Sequence, residues 1–340
     1  MDAKETLAAL LKRNREHERA AGPGTNNHVP MVLIGLYRLS GSPAQMNRYV
    51  EGFDLAPAAE PVEDAKTDIN AENWKNCLGR GEFSRYVAFF ESWTKQASIK
   101  AVLEESISVL MKGVSSAAYH ALLRLAYALD YASREEVVFS LAYWAASFYP
   151  GPELDLNSRA VDPDALFADI VTSSPALKIK PTGSIDGRIR QVYHSKGIAN
   201  LWKPIRIPNE NPLENMSALI LETFVQTQHF TLLHALTSCQ ALTSLLPYLT
   251  DPEKSLSHYW HSVCAAYVTV YRSSFEVGKD TVVSGVWEWK ELFVRAAASE
   301  QDLEHTIKVA YACWLEFQRY KREQYRAVAA REIMKPSPFV

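Results

Sequence analysis

Glycine is scarce in this chain: 14 residues in 340, about 4% where an average globular composition carries roughly 7%. No G-x-G-x-x-G follows a strand-like run and no G-x-x-x-x-G-K-[ST] occurs, and Gly22-Pro23-Gly24 and Gly79-Arg80-Gly81 match neither pattern. Rossmann and P-loop readings therefore fall away. An excess of one charge is also lacking. The 39 acidic and 36 basic residues leave a net charge of −3, too weak a field to hold a nucleic-acid backbone or an anionic membrane, so neither is an expected partner. The four cysteines, Cys77, Cys239, Cys264 and Cys313, form no C-x-x-C pair, which excludes a zinc knuckle and a disulfide framework and fits a reducing, cytoplasmic setting. The first twenty residues have no apolar core of a signal peptide, and no run of eighteen uncharged apolar residues occurs, so no membrane span is expected.

What the chain does have is apolar residues, 47% of the total, repeating at three and four as in helices that bury one face. The spacing predicts an all-α protein, one large bundle-like domain over 1–340. Ser42-Pro43-Ala44-Gln45, Ser133-Arg134-Glu135-Glu136 and Thr250-Asp251-Pro252-Glu253 place helix starts near 43, 134 and 252. Further helices are expected over 3–20, 28–40, 83–112, 115–131, 214–246, 286–297 and 300–330. A helix and linker over 1–25 thus precede a first helical half (26–149) and a second (213–330). Between the halves, 150–212 carries eight prolines from Pro150 to Pro212 and reads as an irregular excursion, a lid or a plain connection.

Nine histidines are present, and four sit in strongly apolar helical segments: His28 in NNHVPMVLIGLYRL, its helix signalled by Asn26 or Asn27 and Pro30, His120 in SSAAYHALLRLAYAL, His234 in TQHFTLLHALTS, and His305 before TIKVAYACWL. The last segment also holds Lys308, one turn from His305 in a helix apolar on nearly every side. Such a lysine is buried, and a buried ammonium either finds a carboxylate or loses its proton. Together with the awkward lysine, the four point to a metal site in a bundle core, where facing helices project ligands inward. The stripe Thr227, Phe230, Thr231, Thr237, Ser238 and Ala241 around His234 suits a cavity wall, or else threonines bonded back to their own helix. Arg124, four residues after His120, is the candidate catalytic cation, positioned for a substrate oxygen or, equally, for Asp130 or another acid. Tyr119, Tyr127, Tyr311, Trp314 and Phe230 are candidate walls. His17, His194, His258 and His261 read as surface residues, and His229 is ambiguous. No histidine has Glu three residues before it, and H-E-x-x-H and G-x-S-x-G are absent; di-iron carboxylate, zincin and serine hydrolase readings have no support. Imidazole donors suit iron, copper, zinc or nickel.

In order and approximate spacing, NNHVPMVLIGLYRLSGSPAQMNRYVEGF, AAYHALLRLAYAL, FTLLHALTS and DLEHTIKVA resemble the blocks of the questin oxidase-like family, enzymes of polyketide pathways that oxidatively open aromatic or quinone rings. The resemblance runs from about residue 26 to 315 and implies an all-helical oxidoreductase. Its chemistry is either NADPH-dependent Baeyer–Villiger oxidation or non-haem iron oxygenation with dioxygen on an aromatic or quinone-like small molecule. The iron version implies Fe(II) held by four histidines and a carboxylated lysine, which fall on His28, His120, His234, His305 and Lys308. No dinucleotide fingerprint supports NADPH, and 150–212 matches little of the family. Two alternatives use the same residues differently: a metal-dependent hydrolase or lyase, and a non-catalytic helical binder of a small ligand.

Overall fold

The computed structural model describes residues 1–22, 24, 28–53, 68–80, 83–174, 182–195, 197–198, 201–207, 212–271, 287–299 and 302–335. Asn26 and Asn27, and the prolines at 175, 181 and 208, lie outside these. Among the described residues the chain forms fifteen α-helices and no strand: α1 (Ala3–Ala21), α2 (His28–Arg38), α3 (Pro43–Glu51), α4 (Phe83–Gln96), α5 (Ile99–Leu110), α6 (His120–Tyr131), α7 (Arg134–Ser147), α8 (Pro163–Ser173), α9 (Ile185–Tyr193), α10 (Glu214–Thr227), α11 (Phe230–Leu245), α12 (Pro252–Tyr271), α13 (Trp289–Ala297), α14 (Leu303–Tyr320) and α15 (Glu323–Met334). None of the described helices is long and apolar enough to cross a membrane.

The capping signals act as expected. Ser42 accepts from Gln45 N while the Gln45 side chain returns to Ser42 N, Ser133 accepts from Glu136 N, and Asp251 accepts from Lys254 N. Three expected long helices are broken. The 83–112 helix restarts at Ser98, which caps α5. The 214–246 helix breaks at Gln228, φ 50°, and the 300–330 helix at Lys321, φ 55°. Each is a left-handed C-cap without glycine or asparagine. The 150–212 excursion is more ordered than its prolines suggest: α8 packs on α10 and α12, and α9 packs on α12 and on the turn before α6. A parallel bridge joins Val161 to Ile205.

The core centres on four helices, in which α2 packs on α6, α6 on α11, α11 on α14 and α14 back on α2. Their closeness is set at Gly35 of α2. A Cβ there would come within 2.5 Å of Ile307 Cγ2 on α14 and 3.5 Å of Tyr127 on α6. Arg124 of α6 faces α1, where both of its terminal nitrogens bond the Glu18 carboxylate at 2.9 and 2.6 Å, with both side chains fully buried. The guanidinium also lies 5.6 Å from the Tyr143 ring.

His258 and His261, expected at the surface, are buried on α12 with 6% and 1% exposure. The polar residues around them hide that α12 is covered by α9, α8 and α11. His261 Nε2 bonds Lys203 O at 2.9 Å. Burial pushes His258 down to about 4 and His261 to about 3.

Two outcomes follow from these contacts. Gly35→Ala forces α2 and α14 apart and should cost about 1–3 kcal/mol in urea unfolding; an unchanged midpoint would show that Ile307 yields freely. The unfolded state takes up protons at the α12 histidines near pH 6.5, while the folded state does not until about pH 4 or 3. Stability is therefore complete above pH 6.5 and falls below it, by about 1.4 kcal/mol per pH unit for each such histidine. Unfolding free energies between pH 7.5 and 4.5 should show this fall, and the double variant His258→Gln/His261→Gln should reduce its slope.

Candidate metal centre

Each helix of the central ring carries one of the four histidines at or near its start. His28 and His120 open α2 and α6, His305 is the third residue of α14, and His234 is the fifth of α11. The rings meet around a closed circuit: centroids are 4.4 Å apart for His28–His120, 5.4 Å for His120–His234, 5.4 Å for His234–His305 and 6.0 Å for His305–His28. His120, His234 and His305 bring ligand nitrogens within 4.8 Å of one another. Opposed donors about 2.1 Å from one ion would stand roughly 4.2 Å apart, so the set is close to the size that an ion needs.

Local backbone explains how these rings arrive. Ala117, Ala118 and Tyr119 take successive left-handed conformations, φ 49°, 54° and 67°, costing about 1–2 kcal/mol each for residues with a Cβ. This turn, packed under α9 and α11, swings the start of α6 inward and delivers His120. His229 caps α11, accepting from Thr231 N at Nδ1 (3.1 Å), so that His234 lies one turn inside.

Three imidazoles are held at Nδ1. His28 Nδ1 lies against the Glu304 carboxylate, His305 Nδ1 bonds Asp302 at 2.5 Å, and His234 Nδ1 bonds Phe230 O at 2.9 Å. That leaves Nε2 of each for the interior, and His120 Nε2 is buried with no partner among the described residues. Such outer partners fix tautomer and ring orientation. Glu304 also accepts from the Tyr49 hydroxyl at 3.1 Å. Burial raises the Glu304 carboxyl, but the His28 bond and the charges of His28 and Lys308 outweigh it and hold it below the usual range.

Lys308 is buried at 1% exposure and its Nζ has no hydrogen-bond partner among the described residues. Burial lowers it to about 8, against the opposing pull of Glu304 and Asp302. Burial likewise lowers His28, takes His120 well below its ordinary value and takes His234 to about 3, with the Lys308 charge adding to each shift. These imidazoles are neutral at pH 7, the form that offers a lone pair to a metal. Four helix N-termini converge here as well, each contributing roughly half a positive charge, and favour neutral bases and bound anions.

Glu304, Asp302 and Tyr49 had no place in the sequence reading; the i,i+3 spacing of Asp302 and His305 was the available signal. Other expected residues fall elsewhere. Arg124 meets the acidic partner of the two weighed for it, but that partner is Glu18; Asp130 is taken by Arg38 at 2.6 Å. With both terminal nitrogens on a buried carboxylate, Arg124 joins α6 to α1 and has no place in the catalytic set. Tyr119, Tyr127 and Tyr311 are buried packing residues and Trp314 packs on Phe293. Phe230 alone of the expected walls is exposed, at 48%, its ring centroid 4.7 Å from both His234 and His305. The threonine stripe is mostly satisfied locally: Thr227 bonds Thr223 O, Thr237 bonds Leu233 O and Ser238 bonds Ala235 O. Thr231 instead accepts from Arg188 at 2.7 Å.

No curated protein matches the chain. The family profile described as questin oxidase-like matches residues 25–313, a span that contains all four histidines and Lys308. With a match over most of its length, this chain belongs to the questin oxidase-like family, oxidoreductases that act on aromatic polyketides.

Proposed function

We propose that His28, His120, His234, His305 and Lys308 hold iron, and that the protein is a non-haem iron oxygenase using dioxygen on an aromatic or quinone-like small molecule. The observation that carries this reading is the convergence of four imidazoles on a buried lysine whose Nζ has no partner among the described residues. An ammonium is not normally left so; an amine that becomes a ligand explains it. The donor set fits iron: imidazole nitrogens suit it, and the free cysteines are not among the clustered ligands. Five protein donors exceed the three that a catalytic zinc site keeps beside its water, which disfavours the hydrolase alternative. When bound, the metal supplies the one-electron chemistry that lets dioxygen react with a closed-shell organic molecule.

The protein's own residues contribute position and charge. In the neutral amine form Lys308 can take up carbon dioxide; its nitrogen bonds the carbon and a proton leaves, giving a carbamate. That anion balances a metal ion in a site whose helix ends and imidazoles supply no negative charge. Glu304 and Asp302 hold two imidazoles in their tautomers. The apolar bodies of α2, α6, α11 and α14 exclude water behind the centre. Phe230 is half-exposed and meets His234 and His305 edge-on at 4.7 Å, an aromatic surface beside the centre against which a flat ring can pack.

Purified protein reconstituted anaerobically with Fe(II) should hold one iron per chain by elemental analysis, and His120→Ala and Lys308→Ala should each lose it, the lysine variant recovering part with a small carboxylic acid. Absence of stoichiometric metal in the wild type, with no absorption change, ends the iron reading; normal iron in Lys308→Ala removes that residue from the site. Glu304→Gln should weaken metal binding about 10–100-fold, the usual effect of losing an outer partner, as measured by chelator competition. An unchanged affinity would reduce Glu304 to a surface contact.

A further inference from the structure

Phe230 is the exposed residue beside the centre, and the residue that follows it, Thr231, is bonded to a cation that has no counter-ion among the described residues. Arg188, on α9, donates from Nη2 to Thr231 Oγ1 at 2.7 Å. Its Nε is buried with no partner among the described residues. The nearest acid on its own helix, Asp186, is taken by Arg190 at 3.1 Å, and among the described residues no carboxylate forms an ion pair with Arg188. His229 does not neutralise it: burial lowers that imidazole and the Arg188 charge lowers it further. A half-buried guanidinium with unused donors is uncommon, because its planar fork normally meets a carboxylate or phosphate.

Its position gives the vacancy a meaning. Thr231, to which Arg188 is bonded, follows Phe230 and precedes His234 by three residues, so all three belong to the first turns of α11. α9 also packs on the left-handed turn that delivers His120. The helix carrying Arg188 thus touches the starts of two of the four histidine-bearing helices, at Thr231 of α11 and at the turn before α6. The positive end of α11 adds to the field at this point.

We propose that Arg188 orients the substrate: its guanidinium receives an anionic oxygen, phenolate or carboxylate, of the aromatic molecule whose ring lies against Phe230. This rests on the aromatic-substrate reading above and adds to it the charge of the substrate. A charge-assisted bond to the fork fixes which edge of a flat ring turns toward the histidines, something stacking on Phe230 alone cannot do.

The test compares two probes of one shape, anthraquinone-2-carboxylate and anthraquinone-2-carboxamide, binding to the iron-reconstituted protein, followed by quenching of tryptophan fluorescence. Wild type should bind the carboxylate at least about tenfold more tightly than the carboxamide, the scale of one charge-assisted bond. Arg188→Met should bring the ratio to about one, and Arg188→Lys, which keeps the charge and loses the fork, should leave a smaller preference than wild type. Equal affinity of the two probes for wild type, or a ratio unaltered in Arg188→Met, overturns the role of Arg188 and leaves the aromatic reading standing. Failure of both probes to bind overturns the aromatic reading and this inference with it. Because the wild-type ratio needs no variant, a misfolded Arg188→Met would not protect the inference.

Discussion

Four helix starts aimed at one point set the terms for everything near them. Their unpaired amide groups sum to a positive field, and the side chains buried in that field are bases: four imidazoles and a lysine. Burial and field act in the same direction: His28, His120 and His234 are lowered so that they stay neutral at pH 7, and Lys308 is drawn down to about 8, which brings its neutral amine within reach. Such a group of lone pairs cannot simply be packed like apolar residues, since each buried nitrogen without a partner costs free energy. A cation shared among them, with an anion to balance it, resolves the cost, and that requirement underlies both the proposed iron and the proposed carbamate.

The surrounding structure keeps this arrangement from relaxing. Gly35 lets α2 lie almost on α14, so His28 and His305 belong to one packed unit. The strained turn at Ala117–Tyr119 is tolerated because α9 and α11 close over it; without them, α6 would start elsewhere and His120 with it. On the far side of α6, the buried Arg124–Glu18 pair joins that helix to α1. A pair of this kind adds little net stability over apolar residues of the same volume, but it strongly penalises any packing that separates the partners. Its contribution is to define where α6 stands.

How much of this was legible in the sequence depends on how local each signal is. His28, His120, His234 and His305 stood out because each interrupts an apolar helix, and the burial of Lys308 followed from its neighbours. The caps at Ser42 and Ser133 were equally local. Glu304 and Asp302 were not legible as partners: acids at a helix start suit the helix dipole anyway, and only the meeting of α2 with α14 gives Glu304 a histidine to hold. Arg124 is the same case, its partner lying more than a hundred residues away. The breaks at Gln228 and Lys321 carry no glycine or proline, since tertiary packing imposes the left-handed conformation on residues that do not prefer it. His258 and His261 look like surface residues because two of the helices that cover α12, α8 and α9, come from the proline-rich stretch, where periodicity is weak.

Placing all four helix starts at one end has a topological cost. After each of α2, α6 and α11 the chain must travel back before the next central helix can begin, and those returns occupy 39–119, 132–229 and 246–302. The proposed ligand set is therefore spread from residue 28 to residue 308. On a ribosome, the first histidine would emerge long before the last histidine and the lysine, so the five proposed donors come together only once α14 has been made. Filling the complete proposed set has to follow synthesis of almost the whole chain, and a product cut short before α14 would lack His305 and Lys308 however well its earlier helices pack.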